Sequence, residues 1–236
     1  MNEGGNILLT LAGDSTIPAG LSSLLVELDI HLPPDRTSVV LDHFNYDLNS
    51  AADQHDVLLL SHYRKNLIVD SEGVLAFPRA VGQELGAKSP LLTSVLQAKD
   101  TAYTSSPKDD ADYAEDPFAV GTQISLVTTM QARNSARFTV FGSLEALEDK
   151  WFDAKVATAD GKTSPTANRN LARQVTAWTF QEVGVLEVGR VQHYLQPGGA
   201  VSASRGNVTH VPQSQTNPTM YRIKNDVVSL KLSAHD

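Results

Sequence analysis

The feature that most constrains this chain lies between Thr122 and Phe152. There "TQISLVTTMQA" and "ARFTVFG" read as two apolar strands joined by a short turn at Arg133-Asn134-Ser135. Gly142-Ser143 then leads into an amphipathic helix with Leu144, Leu147 and Trp151 on one face. A strand that runs through Gly-Ser into a helix is where an α/β enzyme often keeps its nucleophile.

The flanking segments extend the same pattern. "NILLTLAGDST" is a near-continuous apolar run and predicts a strand, Asn6 to Leu11, buried on both faces of a parallel sheet. A helix comes next, with Leu21, Leu24, Leu25 and Leu28 at helical spacing. "TSVVLDHFNYD" and "HDVLLLSH" predict further strands, and Gly73, Pro78, Gly82, Gly86 and Pro90 break the next stretch into short strands and turns. Ser164-Pro165 predicts an N-cap followed by proline at the first helical position, opening a helix that buries Leu171, Val175 and Trp178 and stops at Gly184. Beyond Leu186 the character changes. "LEVGRVQHYL" predicts a strand, residues 196–219 a linker, and "TMYRIKNDVVSLKL" a solvent-facing strand. The expected organisation is an α/β domain over 1–185 and the opening of a β-rich domain over 186–236. Asn2-Glu3-Gly4-Gly5 resembles the capped end of a helix, so the α/β domain is expected to lack its first elements.

Composition narrows the chemistry. There is no cysteine, which excludes disulfides, thiolate catalysis and Cys-based metal sites in this stretch. A net charge of −8 disfavours nucleic acid and anionic membrane surfaces as partners. "MNEGGNILLTL" lacks the basic start of a signal peptide, and no stretch reaches the roughly 20 apolar residues of a membrane helix. Residues 100–117 form an acidic, proline-containing surface loop. Its carboxylates Asp109, Asp110, Asp112, Glu115 and Asp116 lack the turn glycine and terminal glutamate of a calcium loop. No glycine fingerprint for dinucleotides or phosphates and no His-x-x-x-His pairing is present. No metal or cofactor is expected.

Three positions invite a catalytic reading. Ser143 lacks the flanking glycines of the Gly-x-Ser-x-Gly elbow, and its placement matches a helix N-cap with Glu145 complementing the dipole. Ser15, after Gly13-Asp14 at another strand end, reads more simply as a turn that starts a helix. Asp42-His43 has the residue types of a base and its orienter, but such a pair is more often a hydrogen-bonded structural corner. The enzymatic alternative is a soluble α/β hydrolase using Ser143 or Ser15 with His43; a ligand-binding α/β domain with its pocket at the strand ends is a further alternative. Asn207-Val208-Thr209 is the one open Asn-x-Ser/Thr acceptor and falls in a predicted loop.

Four segments in register carry a family resemblance: "NEGGNILLTLAGDS", "LDHFNYD", "MQARNSARFTVFGSLEALEDKWF" and "LARQVTAWTFQEVGVLEVGRVQHY". Together they are similar to the 48 kDa, or beta, subunit of the eukaryotic oligosaccharyltransferase complex. The resemblance implies a Rossmann-like, glutamine-amidotransferase-like open sheet followed by β-rich domains. It also implies a type I protein of the endoplasmic reticulum membrane, lumenal side, anchored by a C-terminal helix absent from this chain. The implied role is non-catalytic: assembling the complex that moves a preformed glycan from dolichyl diphosphate to Asn-x-Ser/Thr, with catalysis on a different, polytopic subunit. The residues agree that an amidotransferase-type nucleophile is missing, because that chemistry needs a cysteine.

Overall fold

The computed structural model describes residues 4–13, 15–34, 37–86, 89–105 and 116–185, and the backbone of four short strands beyond them. The chain divides into two compact units, Met1–Val183 and Gly184–Asp236. The first unit runs β1 (Ile7–Thr10), α1 (Ala19–Glu27), β2 (Ile30–His31), β3 (Val39–Leu41), β4 (Val57–Leu60), β5 (Leu75–Pro78), β6 (Gln83–Leu85), β7 (Leu92–Gln97) and β8 (Tyr103–Ser105). It continues with β9 (Ile124–Gln131), β10 (Arg137–Phe141), a 3₁₀ turn (Glu145–Leu147), α2 (Asp149–Phe152), β11 (Lys155–Ala157), β12 (Thr163–Pro165) and α3 (Asn168–Thr179). In the second unit β13 (Glu187–Val188) pairs with β16 (Ala234–His235), and β14 (Gln192–Gln196) with β15 (Val227–Lys231), both antiparallel.

This is a mixed α/β fold. Its main sheet is open and ordered β1-β10-β9-β6-β2, with β7 on β9. Only β1–β10 is parallel; the other pairings in this sheet are antiparallel. The β9–β10 hairpin is its centre, and every residue of β10 is buried. The period-two alternation of a strand explains how. Phe138 and Val140 join Leu11, Leu25 and Ile30 under α1. Arg137, Thr139 and Phe141 face the other way. Arg137 lies over the Trp178 ring and Thr139 meets Thr179, both on α3. Phe141 stacks on Phe77 with ring centroids 5.6 Å apart.

Several expectations change at this level. β1 is not a doubly covered inner strand: among the described residues it pairs with β10 alone, and Ile7 is 39% exposed. Of the leucines expected to bury α1, only Leu25 is fully buried, packed with Phe138 and Val140, while Leu24 turns outward. The helix predicted after Gly142 shrinks to a 3₁₀ turn and four residues of α2. Leu144 is exposed, while Trp151 packs in a separate cluster with Val57 and Leu59. Ser164-Pro165 does not start a helix but lies in β12, paired with Lys155 and Val156. Proline biases its preceding residue to extended backbone, which suits a short outer strand.

α3 does bury Leu171, Val175 and Trp178, but it ends at Thr179, ahead of Gly184. Gln181 takes the left-handed position (φ 63°) that glycine usually fills. The Glu182 N–H bonds the Ala177 carbonyl and the Gln181 N–H the Trp178 carbonyl, a Schellman closure. The Gln181 side chain donates to Asn6 Oδ1 (3.0 Å) and the Ser135 carbonyl (2.8 Å), which holds this strained residue in place. Finally, Tyr103–Ser105, inside the predicted acidic loop, pairs with β3; residues 106–115 lie outside the described residues. "LEVGRVQHYL" contains two strands rather than one.

Candidate functional site

The strand ends were the expected place for chemistry, and Ser143 stands just past the end of β10. Its hydroxyl is buried, donates to the Pro78 carbonyl at 2.5 Å and accepts the Ala146 N–H at 3.2 Å. That second bond ties the hydroxyl to the first turn after β10, but the N-cap position of the 3₁₀ turn is Leu144 and carries no side-chain cap bond. The proton a base would have to remove is committed to a backbone carbonyl, and among the described residues no imidazole contacts the hydroxyl. Glu145, next in the turn, accepts the Arg79 Nε–H at 2.5 Å.

Asp42 sits at the end of β3 and is buried. Its carboxylate accepts the N–H groups of Phe44 (2.8 Å) and Asn45 (3.0 Å), the Asn45 amide (3.0 Å) and the Thr101 hydroxyl (2.8 Å). These bonds close a corner and none goes to His43. The His43 ring points elsewhere, with Nε2 2.8 Å from the Tyr103 hydroxyl and its centroid 4.4 Å from that of His55. Tyr46 meets His55 edge-on at 4.4 Å. A triad needs carboxylate, imidazole and hydroxyl in series; Asp42, His43 and Ser143 each bond to other partners.

Ser15 is exposed and lines a cavity of about 250 Å³ beneath α1 whose walls are mostly apolar, including Ile17, Leu25, Val26 and Leu32. A groove of about 1060 Å³ runs along β7, with the His62–Asn66 segment as its other wall and Asn45, Lys99 and Thr101 at one end. Here Lys99 Nζ donates to Asn45 Oδ1 at 2.8 Å and Ser61 Oγ at 3.4 Å. Asn45, Lys99, Thr101, Tyr103 and His55 were not singled out from the sequence. No local motif joins residues this far apart; the pairing of β3 with β8 does.

Burial pushes the Asp56 carboxyl above its ordinary value, opposed by its own backbone N–H and by the Arg79 guanidinium. On β10, burial holds Arg137 below the usual guanidinium range; Arg137 donates to the carbonyls of Trp178 and, at 2.8 Å, Val183. Among the described residues, no group of three or more His, Cys, Asp or Glu side chains is placed to hold a metal ion, and no helix is long and apolar enough to cross a membrane. Asn207 lies outside the described residues.

Comparison with known proteins puts this geometry in context. A family model described as OST48, N-terminal domain, matches residues 1–182. The chain is 31% identical over 235 residues to the dolichyl-diphosphooligosaccharide–protein glycosyltransferase subunit wbp1 of Schizosaccharomyces pombe, covering 97% of this chain and 47% of that protein. It is 31% identical over 210 residues to the 48 kDa subunit of the same glycosyltransferase in Danio rerio, covering 82% of this chain and 44% of that protein. The Drosophila melanogaster 48 kDa subunit is also 31% identical, over 206 residues. The chain thus spans a little under half the length of these relatives. With the match running through the main sheet and α3, the chain belongs to the OST48 N-terminal domain family.

Proposed function

We infer that this chain is part of a non-catalytic assembly subunit of the oligosaccharyltransferase complex, which transfers a preformed glycan from dolichyl diphosphate to Asn-x-Ser/Thr of nascent proteins. The observation that carries this reading is the family match over residues 1–182, joined by relatives named as subunits of that glycosyltransferase. The site geometry supports the non-catalytic part. The Ser143 hydroxyl donates its hydrogen bond to the Pro78 carbonyl, and the Asp42 carboxylate accepts the hydrogen bonds of a corner. Nothing in these contacts favours the hydrolase alternative using Ser143 or Ser15 with His43.

The finer features belong to the same reading. The protein acts at the endoplasmic reticulum membrane, on the lumenal side, with type I topology and an anchoring helix outside this chain. Its partners are the other subunits, including the catalytic polytopic one, and it needs no cofactor of its own. The parallel β1–β10 pairing with α3 packed beside it is what favours a Rossmann-like layer. The strand pairs after Gly184 favour the opening of a β-rich domain. Asn207 is a glycosylation acceptor of this lumenal chain.

The test is affinity isolation of the tagged full-length protein from detergent-solubilised membranes. Stoichiometric recovery of a polytopic glycosyltransferase subunit is expected. A clean monomer would overturn the reading and send attention to esterase and glycosidase screens of Ser143 and His43 variants.

A further inference from the structure

The groove along β7 has features that neither the fold nor the assembly role requires. Among the described residues β9 is the only strand that pairs with β7, so the other edge of β7 faces the groove. On that edge the Val95 carbonyl is taken, by the Asn66 amide at 2.9 Å. Register shifts between Ser94 and Leu96 and between Leu96 and Gln97 add a bulge. Two occupied β7 carbonyls, those of Val95 and of Leu96, which accepts the Ser94 hydroxyl at 3.5 Å, and a bulge are ordinary ways to discourage indiscriminate edge pairing; the edge beyond them carries no other strand among the described residues. At about 3.3 Å per residue, β7 offers roughly 20 Å of edge. The groove volume of about 1060 Å³ lies just above the roughly 300–1,000 Å³ range of small-molecule pockets, as suits an elongated ligand.

Charge narrows the ligand further. The chain carries a net −8, yet its described groove residues set Arg64, Lys65 and Lys99 against a single acid, Asp100. Lys65 is neutralised by Glu72 at 2.7 Å and Asp70 at 3.8 Å. Among the described residues, Lys99 is held by neutral oxygens, on Asn45 and Ser61, and reaches the Asp42 carboxylate through Asn45. Arg64 is exposed and has no hydrogen bond or ion pair among the described residues. A strand edge selects a polypeptide main chain, since phosphate and sugar polymers lack the alternating N–H and C=O groups it pairs with. The unneutralised cations select carboxylates.

We propose that the β7 groove receives an extended acidic segment of another subunit, paired main chain to main chain along β7 with a carboxylate on the Lys99 ammonium. The source of the segment rests on the assembly reading above; the chemistry of the groove does not.

Fluorescence anisotropy of a labelled peptide alternating Glu and Val, titrated with the full-length protein, tests this. Saturable binding is expected, weakening with salt and weakening about tenfold or more with Lys99→Gln or Arg64→Glu. N-methylation of alternate peptide amides is expected to abolish it, because it removes the main-chain donors. Arg64 is an exposed surface residue, so its variant serves if Lys99→Gln disturbs the fold. Equal binding of a peptide with Lys in place of Glu overturns the proposal. So does undiminished binding of the N-methylated peptide, which would mark an anion site and no more, and so does the absence of saturable binding at millimolar peptide. Failure of peptide binding leaves complex recovery by affinity isolation untouched, so the two readings fail separately. If Arg64→Glu abolishes peptide binding while the complex assembles with full occupancy and stability, the segment does not come from another subunit.

Discussion

Ser143 holds two backbone segments with one hydroxyl: the carbonyl at the end of β5 and the N–H of Ala146 in the adjoining turn. Both partners are in the interior, so Ser143→Ala leaves each without a partner. The expected cost is about 1–2 kcal/mol in urea denaturation; under the proposed assembly role, glycosylation by the assembled complex is unchanged. Loss of activity with fold and complex intact would make Ser143 a participant in chemistry after all. Asp56 offers a pH-dependent case. Its folded-state pKa is raised, chiefly by burial, so the folded state holds the proton more tightly than the unfolded chain does. Ionised Asp56 therefore costs stability above its folded pKa, and that cost disappears as pH falls below the ordinary value of 3.8. Asp56→Asn is expected to raise the Tm at neutral pH and to give no gain near about pH 3. A pH-independent gain would assign the effect to something other than ionisation.

At the scale of elements, the end of α3 depends on a residue from another strand. Four C-terminal carbonyls of any helix lack intrahelical partners. Arg137 on β10 supplies donors to Trp178 and Val183 from below while its guanidinium lies 4.5 Å over the Trp178 ring. Arg137→Ala is expected to cost about 3 kcal/mol and to speed amide hydrogen exchange selectively in the last turn of α3. Uniform exchange throughout the chain would show that the loss is global. The β10-to-turn junction is equally particular. A Cβ at Gly142 would stand 2.8 Å from the carbonyl oxygens of both Leu126 and Val81. These are backbone atoms of neighbouring segments and cannot swing away. Gly142→Ala is expected to destabilise by about 2–3 kcal/mol, read from the shift of the denaturation midpoint. A neutral result would mean that the sheet yields at this corner.

For the whole molecule, the buried clusters of the described residues all lie before Gly184: one around Phe77, Leu126 and Phe141, one under α1, and one around Trp151. Unit boundary and family match end within a residue of one another, at Val183 and position 182. A chain ending after Val183 keeps the Arg137 bond to its carbonyl. It is expected to unfold in one cooperative calorimetric transition with the Tm of the longer chain. A broad transition would mean that the first unit depends on residues beyond Val183 for its stability. The edge of β1 that pairs with no strand among the described residues, where Ile7 is 39% accessible, is the place where such a chain should self-associate at high concentration.

What the sequence by itself determined is local. The β9–β10 hairpin, the buried face of α3 and the short strands around Gly73 and Gly82 were legible because alternation, helical spacing and turn residues act over a few neighbours. The lack of cysteine chemistry and the four segments in family register were legible too. Tertiary pairing decided the rest. Whether "NILLTL" is an inner strand or an edge depends on strand order, which no period of two encodes. Ser164-Pro165 carries an N-cap signature, yet its pairing with β11 overrides it. Gln181, not Gly184, closes α3 because Asn6 and Ser135 lie where its side chain can reach them. The Asp42–Asn45–Lys99–Thr101 network and the groove beside it exist only because β3 and β8, far apart in the chain, lie side by side. Contacts between distant residues depend on the packing of the whole sheet, and a single sequence carries no local signal for them.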